Sequence, residues 1–73
     1  MNEIRLKQAE ITLAQALKAA GIAVTGGQAK HQIREGTIMV NGTVERRPGA
    51  KLVEGDRIQS NGIEWTISRE SES

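Results

Sequence analysis

The sequence predicts an α+β domain in which two short helices pack on a small, mostly antiparallel sheet. Apolar residues at helical spacing are confined to the first half, each run preceded by a threonine placed to cap it, Thr12 and Thr25. The second half holds Asn41-Gly42 and Asn61-Gly62, pairs favoured by two-residue type I′ hairpin turns. Helices followed by strands in blocks, with no internal repeat or low-complexity tract, give the α+β class.

Ile4 and Leu6 alternate with charged neighbours, which predicts a short N-terminal strand or extended arm. Leu13, Ala16, Leu17 and Ala20 fall on one helical face, so helix 1 is expected over residues 13–20, with Gly21 ending it in a left-handed conformation. Ile22, Ala23 and Val24 form an apolar connector. Helix 2 follows Thr25, carries the permissive pair Gly26-Gly27 in its first turn and ends near Gly36. Within it Ala29 and Ile33 are four apart and face the core, which puts Lys30 and Arg34 together on the adjacent, exposed flank.

A two-residue loop at Asn61-Gly62 pairs Ser60 with Ile63 and Ile58 with Trp65. Ile58, Ile63, Trp65 and Ile67 then share one face, and Gln59, Glu64 and Thr66 the other. The same construction at Asn41-Gly42 separates Ile38 and Val40 from Met39 and Val44, so either both faces are partly covered or the return strand is very short. Pro48-Gly49 and Glu54-Gly55-Asp56 supply the remaining turns, and residues 70–73 are expected to form a flexible tail after a single domain over residues 1–69.

With 73 residues there is room for one small core, built from sixteen Leu, Ile and Val, eight Ala and one Trp. A chain of this size buries about 60% of its unfolded surface, and the expected net stability is roughly 3–5 kcal/mol. The absence of cysteine excludes disulfides and thiolate metal sites and fits a reducing interior. No apolar run resembles a signal peptide or a membrane span, so a cytoplasmic location is expected. The net charge of +1 conceals an uneven distribution. Between Lys18 and Lys51 six cations stand against two acids, a local charge of +4, whereas from Leu52 onward two arginines face five acids. A short basic helix feeding a tight hairpin suggests an RNA-binding surface.

The ordered set Leu13, Leu17, Gly21-Ile22-Ala23, Thr25, Ala29-Lys30, Ile33, Gly36, Ile38, Val40-Asn41-Gly42, Pro48 and Gly55-Asp56-Arg57-Ile58 resembles the S4 RNA-binding domain. That module is shared by a small-subunit ribosomal protein, pseudouridine synthases, tyrosyl-tRNA synthetase and heat-shock ribosome-recycling proteins. The short length, the Gly-Gly before helix 2 and the Ala-Lys within it are most similar to the small stand-alone S4-like proteins of bacteria, the YbcJ/YaaA-like group. The resemblance implies an S4-like fold with an αL-type motif, RNA binding through helix 2 and the following hairpin, and no enzymatic activity or cofactor. Two positions depart from the pattern: Gly26 stands where many members carry an arginine, and Thr12 precedes Leu13 where they carry Arg-Leu-Asp.

Structured RNA presents phosphates and 2′-hydroxyls over a shallow surface, so a recogniser needs cations at phosphate spacing and hydrogen-bonding groups on rigid elements. The candidate RNA contacts are Lys18, Gln28, Lys30, Arg34, Arg46, Arg47 and Lys51. The competing reading of these cations is a solvated surface that keeps a small protein soluble, and their gathering in the segment where the family binds favours RNA. Asn41 is assigned to its turn rather than to a ligand. Gly26-Gly27 is open between two readings: backbone freedom or close packing at a helix entry, and backbone amides that cradle a phosphate. His31, the only histidine, has no partner for a metal site or a catalytic pair. Trp65 is the sole aromatic and is assigned to the core. A surface without aromatic platforms points to backbone and shape recognition of folded RNA, whether ribosomal RNA, a ribosomal subunit or tRNA, by a monomer.

The alternative function is a small protein-interaction or ubiquitin-like carrier domain. A carrier would end in a flexible Gly-Gly, and this chain reads Ser71-Glu72-Ser73. An enzyme would need a nucleophile and a base in one pocket, for which the composition offers no set.

Overall fold

Both helices start at the threonines that the sequence offers as caps. In the computed structural model, which describes residues 2–69, α1 spans Leu13–Ala19 and α2 spans Gly26–Arg34. Thr12 Oγ1 accepts a hydrogen bond from the Gln15 amide and Gln15 Oε1 accepts one from the Thr12 amide, each at 3.2 Å, so the first turn of α1 is closed reciprocally. Its remaining orphan donors are satisfied from the far half of the chain: the Leu13 amide reaches the Ala50 carbonyl at 2.8 Å and the Ala14 amide the Pro48 carbonyl at 3.1 Å. α1 ends one residue earlier than expected, with Ala20 as its C-cap and Gly21 at φ 77°.

The strands are β1 (Asn2–Leu6), β2 (Glu10–Thr12), β3 (Met39–Val40), β4 (Thr43–Val44), β5 (Lys51–Val53), β6 (Arg57–Ser60) and β7 (Ile63–Arg69). They form a five-stranded sheet in the order β1-β7-β6-β3-β4 and a separate antiparallel pair, β2-β5. The α+β class and the two helices on a mostly antiparallel sheet are as expected. The N-terminal segment, left open between strand and arm, is a strand, and it pairs parallel to β7 with Ile4 opposite Ile67. The pair β2-β5 was not foreseen, because three residues of Glu-Ile-Thr carry too little alternation to mark a strand.

Both Asn-Gly turns adopt the double positive φ of a type I′ turn, 53° and 85° at Asn41-Gly42 and 53° and 77° at Asn61-Gly62. The pairing of Ser60 with Ile63 and of Ile58 with Trp65 is the one the turn dictates. At the other hairpin the return strand is two residues long, the short-strand alternative. Pairing shares out the faces correctly, but burial along that face is uneven: Ile58 and Ile67 are fully buried and Ser60 is its buried polar residue, whereas Ile63, opposite Ser60, is 47% exposed.

The core joins Ile4 and Leu6 of β1, Leu13, Ala16 and Leu17 of α1, Ala29 and Ile33 of α2, and Ile38, Leu52, Ile58 and Ile67. Full burial of each Leu or Ile side chain contributes about 1.5–3 kcal/mol against the chain entropy. Gln32 ties the connector to α2 by donating Nε2 to the Ile22 carbonyl at 3.3 Å, and its Oε1 is buried with no donor. No described helix is long and apolar enough to cross a membrane. The expected tail at residues 70–73 lies outside the described residues.

Candidate nucleic-acid interface

α2 presents its core face through Ala29 and Ile33, both fully buried, so the helical period sends Lys30 and Arg34 outward, and both are exposed. Neither forms an ion pair among the described residues, and the same holds for Lys18, exposed in the last turn of α1. These three charges are available to a polyanion.

Gln28 is partly committed. Its amide donates to Thr25 Oγ1 at 3.1 Å and its Oε1 accepts from the Val24 amide at 2.7 Å, so the side chain closes the start of α2. Gly26 and Gly27 sit in the same turn with no positive φ. A Cβ at Gly26 would meet nothing within 4 Å, and one at Gly27 would meet only Thr25 Oγ1 at 4.0 Å. Neither close packing nor turn geometry within the chain therefore demands these glycines.

Arg46 is drawn onto the end of α2. Its Nη1 donates to the Arg34 carbonyl at 3.1 Å, and its guanidinium lies over Gly36, where an added Cβ would stand 2.7 Å from Nη2. The contact satisfies a C-terminal carbonyl of the helix and places a cation at the negative end of its dipole. Gly36 is legible in the sequence only as the end of helix 2; its second role, a bare seat for a guanidinium, has no local sequence signal.

Arg47 and Lys51 are each held by an acid. Arg47 grips Glu45 through Nε to Oε1 at 3.1 Å and Nη2 to Oε2 at 3.3 Å, while its amide also donates to Oε1 at 3.0 Å. The side-chain bond from Arg47, followed by that from its amide, lowers the Glu45 pKa, and the Arg47 pKa is raised by the reciprocal bond. Lys51 Nζ lies 3.1 Å from Glu10 Oε1 across β2-β5. The structure thus divides the seven candidates into free cations on the helices, one arginine seated on a helix end, one capping glutamine, and two exposed cations each paired with an acid.

The remaining polar features are structural. Asn41 donates Nδ2 to Asp56 Oδ1 at 3.1 Å and accepts from the Arg57 amide at 3.0 Å, while Asp56 Oδ2 accepts from the Val53 amide at 2.8 Å. These bonds lock the β3-β4 turn to the turn before β6, in keeping with the assignment of Asn41 to its turn. His31 pairs with Glu35 at 3.0 Å along α2. No group of three or more His, Asp or Glu among the described residues is arranged to hold a metal.

A family model described as the S4 domain matches residues 4–68. The chain is 38% identical over 62 residues to a Bacillus subtilis protein named as a probable ribosome maturation protein, RlbA, covering 85% of this chain and 87% of that one. It is also 38% identical over 56 residues to the putative RNA-binding protein YbcJ of Escherichia coli, covering 77% and 80% of the two chains. The solution structure of YbcJ, described as revealing an αL motif involved in RNA binding, superposes with a TM-score of 0.70 at 33% identity, over 93% of this chain and 87% of that one. Fold, ordered motif residues and relatives agree along nearly the whole length, and this chain belongs to the S4 domain family.

Proposed function

We propose that this protein is a non-enzymatic RNA-binding module that recognises structured RNA by phosphate and shape contacts from α2 and the hairpin that follows it. The observation that carries the reading is the exposed, unpaired Lys30 and Arg34 on one flank of α2, with Arg46 seated at the same helix end. Lys18 extends the surface from α1. Arg47 and Lys51 join it only by exchanging an acid for a phosphate, and Gln28 contributes through its amide nitrogen. The name of the Bacillus relative favours ribosomal RNA or a ribosomal subunit over tRNA as the target. A cytoplasmic monomer is the corresponding state.

The test is binding of structured ribosomal RNA and tRNA across a salt titration, with the wild type and a Lys30→Ala/Arg34→Ala variant. Each phosphate contact contributes about 0.7–0.9 to the slope of log affinity against log salt, so loss of two is expected to flatten it by roughly 1.5 units. Affinity at low salt is expected to fall about 10- to 100-fold, equally for all sequences. Absence of wild-type binding at low salt would turn the reading toward a protein partner.

Glu45→Gln is expected to act in the opposite direction. The variant releases Arg47 and adds one positive charge beside the hairpin, so RNA affinity at low salt should rise about 2- to 5-fold, the scale of an exposed ion pair. Acid is expected to have the same sign: a depressed carboxylate pKa supports the pair above the ordinary carboxylate range and loses it as pH falls through the folded value. A titration in which Glu45→Gln binds no tighter than wild type would assign Arg47 to the loop alone.

A further inference from the structure

The two Asn-Gly turns have the same asparagine φ, 53°, and opposite uses of the side chain. Asn41 spends both amide atoms on Asp56 and Arg57, whereas the Asn61 amide enters no side-chain hydrogen bond among the described residues. Asn61 instead lines an open cleft of about 250 Å³ with Ala20, Gly21, Ile22, Ser60, Ile63 and Trp65. The end of α1 and its connector form one side of the cleft and the β6-β7 hairpin the other, and their residues leave gaps in the cover of that sheet face. Ile63 is 47% exposed and Trp65 only partly buried.

Trp65 is the chain's only aromatic, and it packs against the core on one side while lining the cleft. Ala20, Ile22 and Ile63 add apolar surface. At Gly21 nothing stands within 4 Å of where a Cβ would be, so a flat ring meets bare backbone there. Lys18, whose carbonyl accepts from the Gly21 amide at 3.1 Å, stands in the turn that delivers these residues and has no acidic partner among the described residues.

We infer that this cleft takes an unpaired purine base of the bound RNA, stacked against Trp65 and Ile63, with its edge on the Asn61 amide and its phosphate toward Lys18. An indole beside aliphatic walls matches the face of a base, and an asparagine amide presents the donor and acceptor that an adenine edge complements. Asn61 is exposed at the hairpin tip, so its amide is solvated in the free protein and open to a base edge. This inference rests on the RNA-binding reading and adds a base contact to its phosphate contacts.

Because Trp65 is the sole tryptophan, its emission reports the cleft directly. Short oligoadenylate is expected to quench it saturably at low salt, and an abasic oligomer of the same length is not. Asn61→Gly removes the amide and suits the positive φ of the turn, so the variant should stay folded and bind oligoadenylate about 10-fold more weakly. Ile63→Ser is expected to weaken it similarly by removing one wall. Equal quenching by the abasic oligomer, or an Asn61→Gly titration matching wild type, would overturn the inference. Emission that shifts with protein concentration alone would assign the cleft to a second copy and overturn it as well. Salt-dependent binding of structured RNA with a silent Trp65 would refute the base site and leave the proposed function standing; absence of binding to every RNA would remove both.

Discussion

Asp56→Ala is expected to lower stability by about 2–3 kcal/mol, a shift of roughly 10–20 °C in melting temperature for a domain of this size. Its carboxylate accepts from the Val53 amide at 2.8 Å and from Asn41 Nδ2 at 3.1 Å, and through Asn41 it is linked to the Arg57 amide. Removing the acceptor deletes the side-chain bonds that tie Asp56 to Val53 and Asn41, leaving the turn and the hairpin to the backbone bonds from the Asp56 amide to the Val53 carbonyl and from the Asn41 amide to the Arg57 carbonyl. Against an expected net stability of about 3–5 kcal/mol, that is most of the margin. Asp56→Asn, which keeps one carbonyl acceptor, should recover about half. Urea or thermal denaturation followed by far-UV circular dichroism measures both; an unchanged midpoint for Asp56→Ala would show that solvent replaces these bonds at no cost.

Gly36→Ala is the second large effect, and it couples stability to the binding surface. The position holds φ 82°, where an L side chain costs about 1–2 kcal/mol, and the new methyl would stand 2.7 Å from the Arg46 guanidinium. That guanidinium is the end of a flexible side chain and can swing away, so the packing conflict is relieved at the expense of its bond to the Arg34 carbonyl. The total loss is expected at about 2 kcal/mol. Comparison with Arg46→Met separates the two contributions: Arg46→Met removes the cation and leaves the glycine relaxed. If Arg46 contacts phosphate from its seat, both variants lose RNA affinity under conditions where they remain folded. If both variants are destabilised and neither binds less, Arg46 serves the helix end and not the ligand.

The purine cleft and the cation flank sit differently with respect to what the sequence made legible. Lys30 and Arg34 follow from period alone: once Ala29 and Ile33 face inward, residues one position later face out. Trp65 was legible as packed with the core, and it is. Its partial exposure depends on how far α1 and its connector reach over the sheet, which no periodicity encodes. The same holds for Arg47 and Lys51, which read as free cations in a basic segment and are bound by Glu45 and Glu10. Glu10 stands far from Lys51 in sequence and is brought beside it only by the pairing of β2 with β5.

By itself the sequence determined the local geometry: the capped starts of both helices, the buried and exposed faces of α2, the two type I′ turns and the register of β6 with β7. Each follows from interactions within a few residues, where a side-chain period of 3.6 or 2, a capping hydroxyl or an Asn-Gly pair leaves one favourable arrangement. Only the tertiary structure decided that β1 runs parallel to β7, that β2 pairs with β5, that Arg46 lies on Gly36, and which cations stand without an acid partner among the described residues. Those contacts join segments distant along the chain. The entropy of closing a loop rises only slowly with its length, so local pattern assigns no particular long-range partner, and the choice is made by which pairing buries the common core.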